Sequence, residues 1–299
     1  MNEQVGMKTS LDCVPCLVRQ ALDAARLVSK DPTIHEKIVR EVLHWTSEMA
    51  LHESPAVLGQ RIHRRIREIV GGKDPYRESK EHQNRMAGSL IPKLKAELAA
   101  SSDPLALAVK LAVAANVIDL GAKGELTEEE VMRSLQQAAD EPLVGDMASF
   151  KTSVAKADRI LYVADNAGEI IIDRLLIEQL SPERVTVAVR GGPIINDATR
   201  TDAQTAGLDK IVPVIDNGSD APGTILEDCS AAFRCFFTRA DLIIAKGQGN
   251  FETLSDVPRN IFFLFKAKCP VVETRVGLPI GTHMLIHGEG EKRKEWGNI

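Results

Sequence analysis

The stretch from Arg159 to Leu180 limits the fold of this chain more than any other. It opens with an apolar run, Ile160 to Ala164, of the kind that forms a strand buried on both faces. It closes with Ile170, Ile171, Leu175, Leu176, Ile177 and Leu180, the pattern of a helix packed broadly on a sheet. Between them Asp165, Asn166, Ala167, Gly168 and Glu169 make a polar turn. A strand buried on both sides calls for helices on both faces of a parallel sheet, and such sheets bind ligands beyond the carboxyl ends of their strands. Asp and Asn are also common turn formers and caps, so the turn acquires meaning only from the rest of the chain.

The remainder divides into two textures. Apolar runs at 159–164, 184–190, 210–215, 241–246 and 270–274 read as strands, alternating with helices at 168–180, 197–207, 224–239 and 256–267. Helical patterns precede them at Asp12–Ser29, Ile34–Ala50, Pro55–Val70, Asp74–Ala100, Pro104–Asn116, Thr127–Asp140 and Glu141–Lys156. Thr127 and Glu130 match a capping box, and the residues from Gly288 on read as a polar, loose tail. The expected fold is α/β: an all-helical region over 1–156, then a Rossmann-like, doubly wound, mostly parallel sheet over 157–299.

Composition removes several function classes. Aromatics make up 4% of the 299 residues, too few for a base-stacking platform, and the net charge of −5 argues against nucleic acid as a partner. No apolar run approaches the ~20 residues that span a bilayer, and the amino terminus lacks a signal-like apolar stretch. Five cysteines do not suggest a disulfide framework. A soluble cytoplasmic protein is expected, with no membrane partner; its oligomeric state is left open.

Four polar stretches fall at expected strand ends: Asp165-Asn166, Arg190 to Asp197, Asp216 to Asp220, and Lys246 to Asn250. In a parallel sheet they share one edge and converge. Asp165, Asn166 and Asp197 offer oxygen donors suited to Mg²⁺ or Mn²⁺, few enough to leave room for water and substrate. Lys246 stands beside Gly247 and Gly249, whose N–H groups can approach phosphate oxygens. A full Walker pattern and a dinucleotide fingerprint are both missing. Cys13 and Cys16 share a helical face but have no matching second pair, so two packed thiols are the default. His35, His44, His52, His63 and His82 lack metal-binding spacing.

Asp12 to Cys16, Asp74-Pro-Tyr76, Asn116 to Asp119, Asp165 to Glu169, Pro193 to Asp197 and Lys246 to Glu252 together resemble the damage-control phosphatase family, over residues ~12 to ~275. The Cys-x-x-Cys element is similar to the family's prokaryotic and archaeal branch. The resemblance implies a divalent metal (Mn²⁺, Ni²⁺, Co²⁺ or Mg²⁺) on Asp165, Asn166 and Asp197, and hydrolysis of small phosphorylated metabolites, damaged ones included. It implies a phosphate-binding role for Lys246, with Gly247, Asn250, Asn116, Asp119 and Arg190 as further substrate-side candidates. Asp197 or Glu169 is expected to orient the attacking water. Two rival readings stand beside it: a carboxyl methyltransferase using S-adenosylmethionine, and a non-catalytic metal- and phosphate-binding module.

Overall fold

The computed structural model describes residues 6–117 and 141–288, together with 129, 133 and 135–137. Five helices come first: α1 (Cys13–Val28), α2 (Pro32–Glu48), α3 (Pro55–Ile69), α4 (Arg77–Ala100) and α5 (Pro104–Ala114). Three of them begin with Pro in the first turn behind a side-chain cap, Asp31, Ser54 or Asp103, each accepting a backbone N–H. Then follow β1 (Leu143–Gly145), α6 (Met147–Lys156), β2 (Ile160–Val163), α7 (Glu169–Gln179), β3 (Val185–Val189), α8 (Arg200–Thr205) and β4 (Val214–Asp216). The chain continues through α9 (Ala231–Arg239), β5 (Leu242–Lys246), α10 (Gly247–Leu254), β6 (Ile261–Lys266), α11 (Pro270–Val276) and β7 (His283–Gly288). The expected helix from Thr127 to Asp140, its capping box and the tail beyond Gly288 lie outside the residues described as a whole.

The strands form one sheet in the order β1-β7-β6-β5-β2-β3-β4. The block from β6 to β4 is parallel throughout, while β7 runs antiparallel to β6 and carries β1 beside it. From β2 the chain steps outward to β3 and β4 on one side, then returns to β5 and β6 on the other. The crevice between β2 and β5 is therefore the topological switch point, where α/β sheets hold ligands.

Alternation along the strands builds the two faces. Ile160 and Tyr162 of β2 face a cluster with Val187, Ile244 and Phe262, covered by α4 to α7. Leu161 and Val163 face Ile243, Phe263 and Phe265, covered by Phe233 and Phe237 of α9 and Phe251 of α10. α1, α2 and α3 form a third cluster around Ile38, Ile62 and Ile66. It is tied to the loop after β4, where Gln60, Arg64 and Arg67 all bond Asp220.

Three local expectations need correction. Residues 261–266 are strand rather than the end of a helix from 256: Ile261-Phe-Phe-Leu-Phe265 is a short, wholly buried apolar run, which periodicity alone cannot assign. Residues 270–274 are helix rather than strand, because Pro270 has the preset backbone of a first helical turn. The expected helix from Glu141 to Lys156 holds β1 and begins only at Met147, capped by Asp146, so the all-helical half contributes an edge strand. Among the described residues no helix is long and apolar enough to cross a membrane.

Candidate metal and phosphate site at the sheet switch point

Asp165 follows β2 at its carboxyl end, and the backbone around it is cross-linked to the loop after β3. Ala198 N–H donates to the Asp165 carbonyl (2.7 Å), and Ala167 N–H donates to that of Asn196 (2.8 Å). An isolated antiparallel bridge pairs Asn166 with Asp197. Residues separated by some thirty positions are thus fixed side by side. The turn is held from the helical region by Asn84 of α4, whose Oδ1 accepts the Gly168 N–H (2.7 Å). Ile195, beside Asn196, has φ of 42°, a conformation rare for a β-branched residue and of the kind stored at functional sites.

The carboxylates here are crowded. Burial, then the negative charges of Glu169 and Asp197, push the Asp165 carboxyl well above its ordinary range; Lys268 and Arg190 pull the other way. Asp165 Oδ2 accepts from the amides of Asn166 (2.7 Å) and Asn116 (3.2 Å). The same two amides donate to Glu169 Oε2, at 3.0 and 2.9 Å. Arg190 pins Asp197 through Nε (2.7 Å) and reaches Thr224 and Asn250 through Nη1. Asn250 also donates to the carbonyls of Lys246 and Ala164, so it braces the loops from behind.

Lys246 is not where the sequence suggested. It is fully buried, and its ammonium donates to Glu169 Oε1 (2.6 Å), Asp173 Oδ1 (2.6 Å) and the Ala112 carbonyl (2.8 Å). That exhausts its three donors and turns it away from the cleft. Burial alone would lower its pKa, but Asp173 and Glu169 hold it at about 12. The lysine expected to meet phosphate instead locks α7 to β5 and α5. Gly247 acts through its missing side chain: φ is +77°, and a Cβ would lie 1.8 Å from Asp165 Oδ2.

A cleft of about 500 Å³ lies over these residues, with Asp165, Asn166 and Asp197 on its floor. Glu169, Asn116, Arg190, Lys246 and Asn250 are buried behind them, and Asp119 lies outside the described residues. α1 supplies Cys13 and Cys16 to one wall, and the loop after β6 supplies Lys268 and Cys269 to another. The cysteine pair therefore lines the cleft with the carboxylates, Cys13 half-buried and Cys16 exposed, rather than being two packed thiols. Sequence reasoning gave no role to Glu252, the last residue of its Lys246 to Glu252 stretch, and passed over Lys268; both lie on the cleft wall. Glu252 stands one turn after Gln248 on α10, a spacing that could have placed both on one face. A larger hollow, about 660 Å³, lies between α2 and α3, but it holds none of the strand-end residues and its Arg65 is already paired with Glu41 and Glu68.

A family model for the damage-control phosphatase ARMT1-like domain matches residues 9–284. The damage-control phosphatase PH1575 of Pyrococcus horikoshii is 37% identical over 290 residues, spanning 95% of this chain and 99% of its own. A damage-control phosphatase of Archaeoglobus fulgidus is 37% identical over 282 residues, spanning 92% and 97%. An uncharacterized protein of Methanocaldococcus jannaschii, MJ0202, is 34% identical over 297 residues, spanning 94% and 96%. The crystal structure of a DUF89 family protein from Pyrococcus horikoshii superposes with a TM-score of 0.87 at 33% identity, over 95% of this chain and 100% of that one.

Proposed function

The chain belongs to the damage-control phosphatase ARMT1-like family, and from that premise we propose that it is a divalent-metal-dependent phosphatase of small phosphorylated metabolites. The observation that carries this reading is the convergence of Asp165, Asn166 and Asp197 on the floor of one cleft at the switch point of the sheet. Three features suit a hard cation. The donors are oxygens, they are positioned by bonds from behind, and Asp165 carries a charge its neighbours disfavour until a cation offsets it. Among the described residues no three His, Cys, Asp or Glu side chains form a metal site by themselves. The Asn166 amide and substrate or water oxygens would complete the set.

A bound divalent ion supplies Lewis-acid charge for a phosphoryl oxygen and for water. The protein's part is positioning. Asn116 and Asn166 hold Asp165, and Arg190 holds Asp197. Lys268, exposed on the cleft wall, takes the place first given to Lys246 as the cation that offsets phosphoryl charge. Of the two carboxylates expected to orient the attacking water, Glu169 is fully buried under Lys246 and two amides, which leaves Asp197.

Methyl transfer is disfavoured because Arg190, directly after β3, stands where a ribose-binding acid would be needed. A binding module would differ from an enzyme in turnover. Calorimetric titration of Mn²⁺ into metal-stripped protein should give a single site that Asp165→Ala removes. Unchanged affinity in a folded Asp165→Ala variant would take Asp165 out of the site and undo this reading.

A further inference from the structure

Hydrolysis of a phosphate ester needs a proton for the departing oxygen as well as a nucleophile, and the carboxylates on the cleft floor are poor donors for it. Asp165 and Asp197 are assigned to the metal in the phosphatase reading, and Glu169 is enclosed. Glu252 is different. It lies on the cleft wall, half-buried, on the same face of α10 as Gln248 and Gly249. α10 begins at Gly247, against the Asp165 carboxylate, and Glu252 follows five residues on, about 7.5 Å along the axis. Glu252 thus lines the same cleft as Asp165, Asn166 and Asp197.

Burial favours a carboxylic acid at Glu252, while the hydrogen bond from Gln248 pulls the other way and fixes which oxygen can carry the proton. Lys268 N–H donates to Gln248 Oε1 (2.9 Å), which fixes the orientation of that amide and turns its NH₂ toward Glu252. Gln248 Nε2 then donates to Glu252 Oε1 (2.7 Å) and to Cys269 Sγ (3.4 Å). With Oε1 accepting, Oε2 is the oxygen left to carry a proton. The titratable groups that face it are the thiols of Cys13 and Cys16 from α1, whose own ionisation is disfavoured first by burial and further by Glu252. Cys269, beside the same glutamine, adds a third sulfur to this wall. Burial among these groups pushes the carboxyl up to about 7, where a general acid works best near neutral pH.

We propose that Glu252 is the general acid that protonates the leaving-group oxygen; the assignment rests on the phosphatase reading above. The oxygen of water bonds to phosphorus as the bond from phosphorus to the ester oxygen breaks, its electron pair staying on that oxygen. Glu252 Oε2 gives this oxygen its proton, releasing an alcohol. The attacking water keeps one proton in the phosphate product and gives the other to solvent, from which Glu252 is recharged. Cys13 and Cys16 line the cleft beside Glu252 and take no proton in this step.

The test is Glu252→Gln with Mn²⁺ saturating, on two substrate classes. A sugar phosphate has a basic leaving oxygen that needs the proton; p-nitrophenyl phosphate has a leaving group that departs without it. The variant should lose about a hundredfold or more in kcat on the sugar phosphate and less than tenfold on the aryl ester. The wild-type fall in kcat/KM above about pH 7 should vanish in the variant. Equal losses on both esters, or an undiminished sugar-phosphate rate, would overturn the role; the aryl rate and thermal unfolding show whether the variant is folded. Wild-type protein that released phosphate from neither ester would instead overturn the phosphatase reading, and this assignment with it.

Discussion

Replacing Lys246 tests the largest departure of the structure from the sequence pattern. Lys246→Ala removes an ammonium with no solvent exposure and strands two carboxylates, Glu169 and Asp173, that are equally buried. Removing one partner of a buried pair costs about 3–5 kcal/mol, because the remaining charge has neither water nor partner. With two carboxylates and the Ala112 carbonyl losing their donor at once, the upper half of that range applies. In a chain of this size the loss corresponds to a fall in Tm on the order of 10 °C. Lys246→Met, which keeps the apolar stem, should recover little of it. The penalty should also depend on pH. Burial already raises Asp173 from 3.8 to about 7 with the lysine present, and without it the charged form is disfavoured further. A carboxyl raised in the fold stabilises most below its unfolded pKa and loses that contribution as pH rises through the folded value, so the variant should approach wild type on acidification from neutral pH toward 4. Urea unfolding of both proteins at several pH values gives the comparison. A variant within about 0.5 kcal/mol of wild type at pH 7, with kcat/KM collapsed, would refute the structural role and return Lys246 to the substrate.

Gly247→Ala should abolish metal-dependent turnover, because the new methyl displaces the Asp165 carboxylate. Gly277→Ala, with φ of +72° and nothing within 4 Å of its Cβ, carries similar backbone strain and should keep activity; steady-state kinetics on the two separates clash from strain. Asp165→Asn, in chelator, should unfold at a higher temperature than wild type, by a margin that grows with pH, since it removes a carboxylate whose ionisation the fold opposes; thermal scans between pH 5 and 8 check this. Alkylation of Cys16, exposed on the cleft wall, should block phosphate release and should be slowed by substrate, whereas Cys16→Ser protein treated alike should stay active although Cys235 is exposed on α9.

Much of this arrangement was legible in the chain. The apolar run into Asp165-Asn166 and out through Ile170 identified a buried parallel strand and its helix, and strand-end loops in a parallel sheet must share an edge. Asp197 was reachable by that logic without knowing of its bridge to Asn166. Lys246 was misread because its surroundings are tertiary: a strand-end lysine between Ala245 and Gly247 looks poised for a phosphate. Only the fold shows α7 laying Glu169 and Asp173, one turn apart, over it. The Cys13–Cys16 pair was misplaced for a related reason, since nothing local tells that α1 roofs a cleft whose floor is some 150 positions away. The swapped assignments at 261–266 and 270–274 came from short apolar segments, where strand and helix patterns coincide and only Pro270 favoured the helix.

Inorganic phosphate release from metal-stripped protein, followed as Mn²⁺ is added over a panel of sugar, nucleotide and cofactor phosphates, tests the central claim most directly. The account predicts no turnover in chelator, saturable turnover with added metal on at least one substrate, and none for a folded Asp165→Asn variant at any metal concentration. Turnover that persists in chelator, or an Asp165→Asn variant as active as wild type, would contradict it.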